Sequence, residues 1–433
     1  MNERYAAALH DINSNFPAFH TIGARAYRPG LEDTLMLAEM FSNPHKRFRS
    51  IHIAGTNGKG TTAHAIAAAL KAAGYRTGLY TSPHLVDFRE RIRIDGEMIE
   101  EDDVADFMER YHSLNADRRL WPSFFELTTI MAFDCFARHN VDVSVVETGL
   151  GGRLDSTNIL SPDMCVITNI SLDHTQLLGN TPADIAREKA GIIKSGTPVV
   201  VGEAEGEVRN VFEHRASEMN APLFFAQDCE DIITCGGENG TAIAVKASPF
   251  GAFDTALHGT YQRSNAGTIL CTLQHMRLSG HYHIGNDDAK KAFLKVADTL
   301  HGRWERHNGV ICDSGHNIAA WRHTARYLAA HAGGIVAVIG FCSDKDVDAI
   351  LAILPAGVTY HCVAAPTPRA IDAATLAGMM RSHGLDAYSF DSVQEGVEAA
   401  RAKKAAEVAL SQIDTMKKAI LARAFRGELG TND

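Results

Sequence analysis

The chain has 433 residues, 45% hydrophobic and 22% charged, with a formal net charge of -10. This is ordinary globular composition for two or three domains, and its acidic balance argues against a nucleic-acid partner while leaving room for a local basic pocket around a small anion. No apolar run reaches the ~20 residues of a membrane span, and the N-terminus "MNERYAAALHDINSNF" mixes acids and bases without an apolar core, so a soluble, cytoplasmic monomer without signal peptide or membrane association is expected. Eight cysteines, with no C-x-x-C pair and several inside apolar runs such as "VICD", read as buried free thiols.

In chain order, "SIHIA" from Ser50 is a short apolar strand, "TTAHAIAAALKAAGY" a helix and "RTGLYTS" a second strand. "RIRIDGEMI" alternates around Asp95-Gly96, a hairpin signal. "EEDDVADFMERYHSL" and "SFFELTTIMAFDCFARH" read as helices, the first opened by acids that suit its positive end. "VDVSVVET" and "DMCVITNI" are near-continuous apolar strands, as a parallel sheet covered on both faces requires. "TPADIAREKAGIIK" starts a helix at Thr181-Pro182. From Gly206 to Ser264 the pattern weakens to short strands such as "TAIAVKA" among glycines, and helices "NAGTILCTLQHM" and "DDAKKAFLKVA" follow. Near Gly302 a second α/β unit begins: strand "GVICD", helix "AAWRHTARYLAAH", strand "GIVAVIGF", helix "VDAILAIL", strand "TYHCVAA", helix "DAATLAGMMRSHG". The expected fold is α/β. A P-loop, doubly wound, mostly parallel sheet domain with a small β appendage spans 1–298, and a smaller Rossmann-like domain spans 299–406.

The stretch "GTNGKGTT" at 55–62 follows a strand and opens a helix, where free N–H groups and the helix dipole hold phosphate. It departs from the usual G-x-x-x-x-G-K-[ST] spelling. Gly55, Gly58 and Gly60 let the backbone approach an anion, Lys59 can reach outer phosphates, and Thr61 or Thr62 can offer a hydroxyl to phosphate or Mg²⁺. Ser82 ends the second strand on the same sheet edge, where ligands of open α/β sheets bind; it is either a Mg²⁺ ligand or a cap. Glu147 ends an apolar strand, where a lone buried acid is costly. It is a metal ligand or the partner of Arg153. His174, after a third strand, reads as a metal or phosphate contact against a structural role, with Asp173 placed to orient the ring. Glu188 and Lys189 read equally well as a solvated helix face. Arg303 stands at the domain junction, and Asp313, His316 and Asn317 close a strand at a helix start, as ligand contacts or as caps.

Taken together, these motifs resemble the folylpolyglutamate synthase/dihydrofolate synthase branch of the Mur-type ATP-dependent ligases. The likeness runs in order through "GTNGKGTT", "TSPHLVDFRERI", "SFFELTT", "ETGLGGRLDSTN", "NISLDHTQLLG", "IAREKAGIIK", "YQRSNA", "GRWE", "DSGHN" and "SDKD". The resemblance implies ATP and Mg²⁺, an acyl phosphate made from a substrate carboxylate, and attack on it by the amine of L-glutamate, with dihydropteroate or folate as acceptor. Such chemistry needs cations and backbone donors more than a covalent nucleophile. Residue by residue, it implies a phosphate cradle at Asn57, Gly58, Lys59, Gly60 and Thr61, and Mg²⁺ ligands at Ser82, Glu147 and His174. It also implies a CO₂-carboxylated Lys189, ATP contacts at Asn265, Arg303 and Asp313, and His316 near glutamate or the γ-phosphate. The pterin side falls to Tyr27, Arg28, Pro29 and Gly30, to Ser123, Phe124, Phe125 and Glu126, and to Leu154, Asp155 and Ser156. A cell-wall ligase shares the loop chemistry, but the short stretch before "GTNGKG" is too small for that group's nucleotide-sugar domain.

The family closes with a strand and a G-S motif. Here the chain ends "VALSQIDTMKKAILARAFRGELGTND", apolar at helical spacing, and "MKKAILARAFRGEL" resembles the end of type I restriction specificity subunits. An amphipathic helical tail over 407–433 is expected. An ATP-binding protein left inactive by that tail is the alternative from another class.

Overall fold

A computed structural model describes residues 2–17 and 29–406. Its largest element is an eight-stranded sheet, order β4-β3-β2-β5-β1-β6-β7-β8. The central strands are β1 (Arg49–Ala54), β2 (Thr77–Tyr80), β5 (Val143–Glu147) and β6 (Met164–Ile167), with β7 (Val199–Val201) and β8 (Leu223–Phe225) beyond them. These six run parallel. β3 (Ile92–Ile94) and β4 (Glu97–Met98) add an antiparallel hairpin at one edge. Its turn residues Asp95 and Gly96 have φ of 50° and 82°, the left-handed pair that an Asn/Asp-Gly hairpin needs.

Both faces of the sheet are covered, which is why β6, β7 and β8 are wholly apolar. Val143 and Val145 pack with Ile51, Ile53 and Leu79 against the alanine-rich helix Lys59–Ala72 and the helices Gln262–Leu278 and Asn286–Lys295. Their neighbour Val146 points the other way, with Tyr80, into a cluster built on helix Phe124–Arg138. Small side chains let helix Lys59–Ala72 sit close on the sheet. Its start, at the tip of β1, is thereby fixed against the sheet's carboxyl edge.

The weakly patterned stretch after Gly206 holds more order than its sequence suggests: helix Gly206–Glu218, β8, and a three-stranded antiparallel appendage of β9 (Ile233–Gly236), β10 (Ala242–Ala247) and β11 (Phe253–His258). "GVICD" does not open the sheet of the second unit. It forms β13 (Val310–Asp313), paired antiparallel with β12 (Arg303–His307) around Asn308-Gly309, whose φ values are 48° and 78°. One face of this ribbon is covered at Trp304, but Cys312 is exposed, while Cys135, Cys165, Cys271 and Cys362 are buried and all eight thiols are free.

The chain divides into compact units Met1–His323 and Thr324–Asp433, later than the 298/299 division expected, because the ribbon and the "DSGHN" turn belong to the first unit. The second unit holds a parallel sheet β14-β15-β16 (Val336–Ile339, Thr359–Cys362, Asp386–Ser389) with helices Val347–Leu351, Ala373–Ser382 and 393–406. Tyr27, Arg28 and the expected helical tail over 407–433 lie outside the described residues. Among the described residues, no helix is long and apolar enough to cross a membrane.

Candidate functional site

A cavity of about 900 Å³ opens at the carboxyl edge of the main sheet, lined by residues following β1, β2, β5 and β6. Asn57, Gly58, Lys59, Gly60, Thr61, Ser82, Glu147, His174, Lys189, Asn265, Arg303, Asp313 and His316 all line it. Residues spread over more than 250 positions of sequence thus meet in one place, at the edge where open α/β sheets hold ligands.

The loop after β1 is shaped by two glycines. Gly55 and Gly58 have φ of 147° and 86°, and a Cβ at either would run into Thr168 or Asn265. Gly60 differs: it lies in the helix, and a Cβ there would sit 3.7 Å from Glu147 Oε2. The loop backbone is clamped from β6, where Asn169 Oδ1 accepts from Asn57 N at 3.1 Å and Asn169 Nδ2 and Thr168 Oγ1 donate to Asn57 O at 3.0 and 2.6 Å. The first residues of helix Lys59–Ala72 thus line the cavity from a fixed loop, an arrangement whose free N–H groups are suited to an anion.

Glu147 is 4% exposed. Its Oε2 accepts from Ser82 N at 3.2 Å, and its Oε1 lies 4.0 Å from Lys59 Nζ. Burial pushes this carboxyl above the usual range, opposed by the charge of Lys59 and the Ser82 amide. Arg153, the alternative partner read from sequence, pairs instead with Glu188 at 2.8 Å. The loop carrying Gly152 is packed onto helix Pro182–Ala190, where a Cβ on Gly152 would crowd the Glu188 carbonyl. A buried carboxylate whose ion pair with Lys59 is as long as 4.0 Å is a group that a divalent cation could complete. The hydroxyl of Ser82 and the imidazole of His174 line the same cavity. This oxygen-rich set fits Mg²⁺ or Mn²⁺, the ring nitrogen favouring the latter somewhat.

Lys189 is not on a solvated face. It is 4% exposed, and its Nζ donates to Gly55 O at 2.8 Å. Burial, aided by the charge of Lys59, lowers its pKa to about 7, with Asp173 and Asp155 opposing. Its neutral amine is therefore present near neutral pH.

Across the cavity, Asp313 Oδ2 accepts from Tyr261 OH at 2.7 Å and from Trp304 N at 3.0 Å, while Oδ1 accepts from Gly315 N at 2.8 Å. Arg303 Nη1 donates to Ser314 Oγ and to Gly302 O. Asn265 Nδ2 donates to Gln262 Oε1 at 2.7 Å, with Gln262 Nε2 3.5 Å from Thr61 Oγ1. His316 Nε2 and Asn317 Nδ2 both reach Asp173 Oδ2, at 3.2 and 3.0 Å.

The residues expected on the pterin side behave differently. Pro29, Gly30, Ser123, Phe124, Phe125, Glu126, Leu154, Asp155 and Ser156 do not line the cavity. Ser123 and Glu126 form a reciprocal cap on helix Phe124–Arg138. Phe124 lies in the core under the Arg91 guanidinium at 5.0 Å, and Phe125 backs Gly149. Asp155 is buried and holds the glycine loop, accepting from Leu150 N at 2.8 Å and from Thr157 N at 3.1 Å.

Residues 53–271 match the Mur ligase middle domain, and residues 302–411 match the Mur ligase glutamate ligase domain. The dihydrofolate synthase/folylpolyglutamate synthase of Escherichia coli is 35% identical over 371 residues, covering 82% of this chain and 81% of that protein. The chain belongs to the dihydrofolate synthase/folylpolyglutamate synthase family. Solved structures agree over nearly the whole length. Mycobacterium tuberculosis folylpolyglutamate synthase complexed with ADP superposes with a TM-score of 0.80 at 30% identity, covering 92% of this chain and 91% of that one. A bifunctional folylpolyglutamate synthase/dihydrofolate synthase with Mn, AMPPNP and L-glutamate bound gives 0.74 at 30% identity, covering 92% of each.

Dihydrofolate synthases/folylpolyglutamate synthases are ATP-dependent ligases, and the cavity has the cations and backbone donors such a reaction requires. Tyr261 and Asn169 also belong to this site and were not singled out in the sequence. Asn169 had a readable signal, a polar residue just past an apolar strand of the parallel sheet. Tyr261 had none.

Proposed function

We propose that the protein joins L-glutamate to dihydropteroate or to the glutamate chain of folates, through an acyl phosphate, in the cytoplasm and as a monomer. The observation that carries this reading is the buried Glu147 carboxylate facing the phosphate-loop lysine in a cavity large enough for a nucleotide and a second substrate.

In this reading the amides after Gly58 and the Lys59 ammonium hold the β- and γ-phosphates of ATP. Asn57, Gly60 and Thr61 complete the cradle, and Asn265, Arg303 and Asp313 hold the rest of the nucleotide. Ser82, Glu147 and His174 hold Mg²⁺, which when bound neutralises charge on the phosphoryl oxygens. Lys59 stabilises the γ-phosphoryl as it passes to the acceptor carboxylate, leaving ADP and an acyl phosphate. The glutamate amine then forms the C–N bond, loses a proton and expels inorganic phosphate. His316 stands where that amine or the departing phosphate can be met. The pterin is assigned to the 27–30, 123–126 and 154–156 segments. Among their described residues, Ser123 and Glu126 also cap a helix and Asp155 also braces the glycine loop.

Lys189 is proposed as a carbamate. Its Nζ bonds to the carbon of CO₂ with loss of one proton, a reaction that needs the neutral amine that burial supplies. ¹³C-bicarbonate exchange read by NMR should give a carbamate signal that disappears in Lys189→Ala. For the activity itself, phosphate release from ATP should require both L-glutamate and a pteroate acceptor. Glutamate-independent ATP hydrolysis alone, with either acceptor present, would overturn the assignment.

A further inference from the structure

The "DSGHN" turn carries a buried amide that nothing in the ligase reading uses. Asn317 is 5% exposed. Its Nδ2 donates to Asn57 Oδ1 and to Asp173 Oδ2, each at 3.0 Å. Its Oδ1 accepts from Asn57 Nδ2 at 3.2 Å and from Ala320 N at 3.0 Å. Two donor hydrogens and two lone pairs are all that a carboxamide has, so every site on this side chain is engaged by one of three partners. Those partners come from three different places: the phosphate loop, the segment after β6, and the first turn of the following helix.

The far ends of the network are functional groups of the cavity. Asn57 is the phosphate-loop residue whose backbone is already clamped by Thr168 and Asn169, so the Asn317 contact fixes its remaining freedom, the side chain. Asp173 Oδ2 takes its second hydrogen bond from His316 Nε2 at 3.2 Å, and Asp173 Oδ1 accepts from His174 N at 2.9 Å. An amide that bridges the loop cradling phosphate to the carboxylate orienting an imidazole ties the geometry of one to the other. Holding a site to fractions of an ångström is what such supporting contacts do.

We propose that Asn317 is a positioning residue that couples the phosphate loop to His316, through the reciprocal amide pair with Asn57 and the shared carboxylate of Asp173. The network thereby holds the His316 imidazole at a fixed place relative to the phosphates that Asn57 helps to cradle. This rests on the ligase reading for what His316 does, but not for the coupling, which is a property of nucleotide binding.

The variants separate coupling from capping. Serine is a good N-cap, so Asn317→Ser keeps the hydrogen bond to Ala320 N and deletes both donations. If Asn317 only capped the helix, that variant would match wild type. The expected result is that Asn317→Ser and Asn317→Ala both weaken Mg²⁺–AMPPNP affinity about tenfold by calorimetry, with the melting temperature little changed in Asn317→Ser and lowered in Asn317→Ala, which also loses the cap. Asn57→Ala should weaken binding at least as much, and Asn57→Ala/Asn317→Ala should be no worse than Asn57→Ala alone, because the Asn57–Asn317 contact is then already gone. In turnover, kcat should fall further than KM for ATP rises. Wild-type affinity in Asn317→Ser, or losses from Asn57→Ala and Asn317→Ala that multiply in the double variant, would overturn the coupling. Absence of glutamate-dependent turnover in the wild-type chain would instead overturn the ligase reading, leaving the affinity cycle intact.

Discussion

Glu147 and Lys189 are each buried in the form that is expensive to bury. Burial raises the pKa of Glu147 despite Lys59 and lowers that of Lys189 to about 7. For Glu147, the charged form is disfavoured in the folded protein without metal, so Glu147→Gln should raise the melting temperature of the metal-free protein. The same change should cut turnover by roughly 10²–10³-fold, the scale of losing one preorganised charge in a reacting site. A variant that is both less stable and fully active would contradict both halves. For Lys189, the unfolded chain holds the proton up to its ordinary value of 10.5 while the folded chain releases it near 7. Between these values the unfolded state binds more protons, so this residue's penalty is full below about pH 7 and fades as pH rises toward 10.5. In CO₂-free buffer, where the amine is unmodified, Lys189→Met should therefore gain most over wild type near pH 6 and least near about pH 10. A gain that does not vary with pH would show that the amine is not held at a depressed value. Both residues were legible as candidates, Glu147 from its place at the end of an apolar strand and Lys189 from the family motif. That Lys189 is buried was not legible, because "AREKAGIIK" alone looks the same on a wet face as on a dry one.

At the scale of the element, the phosphate loop and the start of its helix separate two kinds of glycine. Gly58 sits at φ 86° with no room for a Cβ beside Asn265. Gly58→Ala therefore costs the left-handed strain of about 1–2 kcal/mol and pushes Asn265 aside. Stability and nucleotide affinity should fall together. Gly60 is helical and has ordinary van der Waals space toward Glu147. Gly60→Ala should leave stability equal or improved by up to about 1 kcal/mol, yet reduce Mg²⁺-dependent nucleotide binding, because the methyl group intrudes on the gap between loop and carboxylate. Equal affinity in Gly60→Ala would remove the metal from that gap. Elements of the main sheet were readable because apolar strands and alanine-rich helices declare themselves by composition. The ribbon β12–β13 was misplaced although "RHNGVI" carries an Asn-Gly turn. A short apolar run such as "GVICD" is compatible with a parallel core strand or a partly covered hairpin, and only its pairing partner distinguishes them.

At the scale of the whole molecule, a ligand that binds only the folded chain stabilises it by mass action, about 2.7 kcal/mol at a hundred times its dissociation constant. ADP with Mg²⁺ should raise the temperature at which the first unit melts, EDTA should remove part of that rise, and Glu147→Gln should remove the same part. An ADP shift that is indifferent to both would place the cation elsewhere. The net charge of -10 makes the local arrangement of Lys59 and Arg303 around one cavity the decisive electrostatic feature. Overall charge would repel an anionic nucleotide, and only convergence of cations at the sheet edge reverses that.

The sequence by itself determined the α/β class, the phosphate loop and the ordered motifs that mark the family, because strand and helix periodicity and glycine placement are local properties. Tertiary structure decided three things. It released Glu147 from Arg153 by giving Arg153 to Glu188. It drew Lys189 out of water onto the Gly55 carbonyl. It joined Asn57, Asp173 and Asn317 through one saturated amide. The last two depend on residues from 134 to 260 positions apart meeting in a poorly solvated cleft, where an unpaired polar group costs far more than in solvent. Residue order alone does not say which polar groups will be forced to meet there.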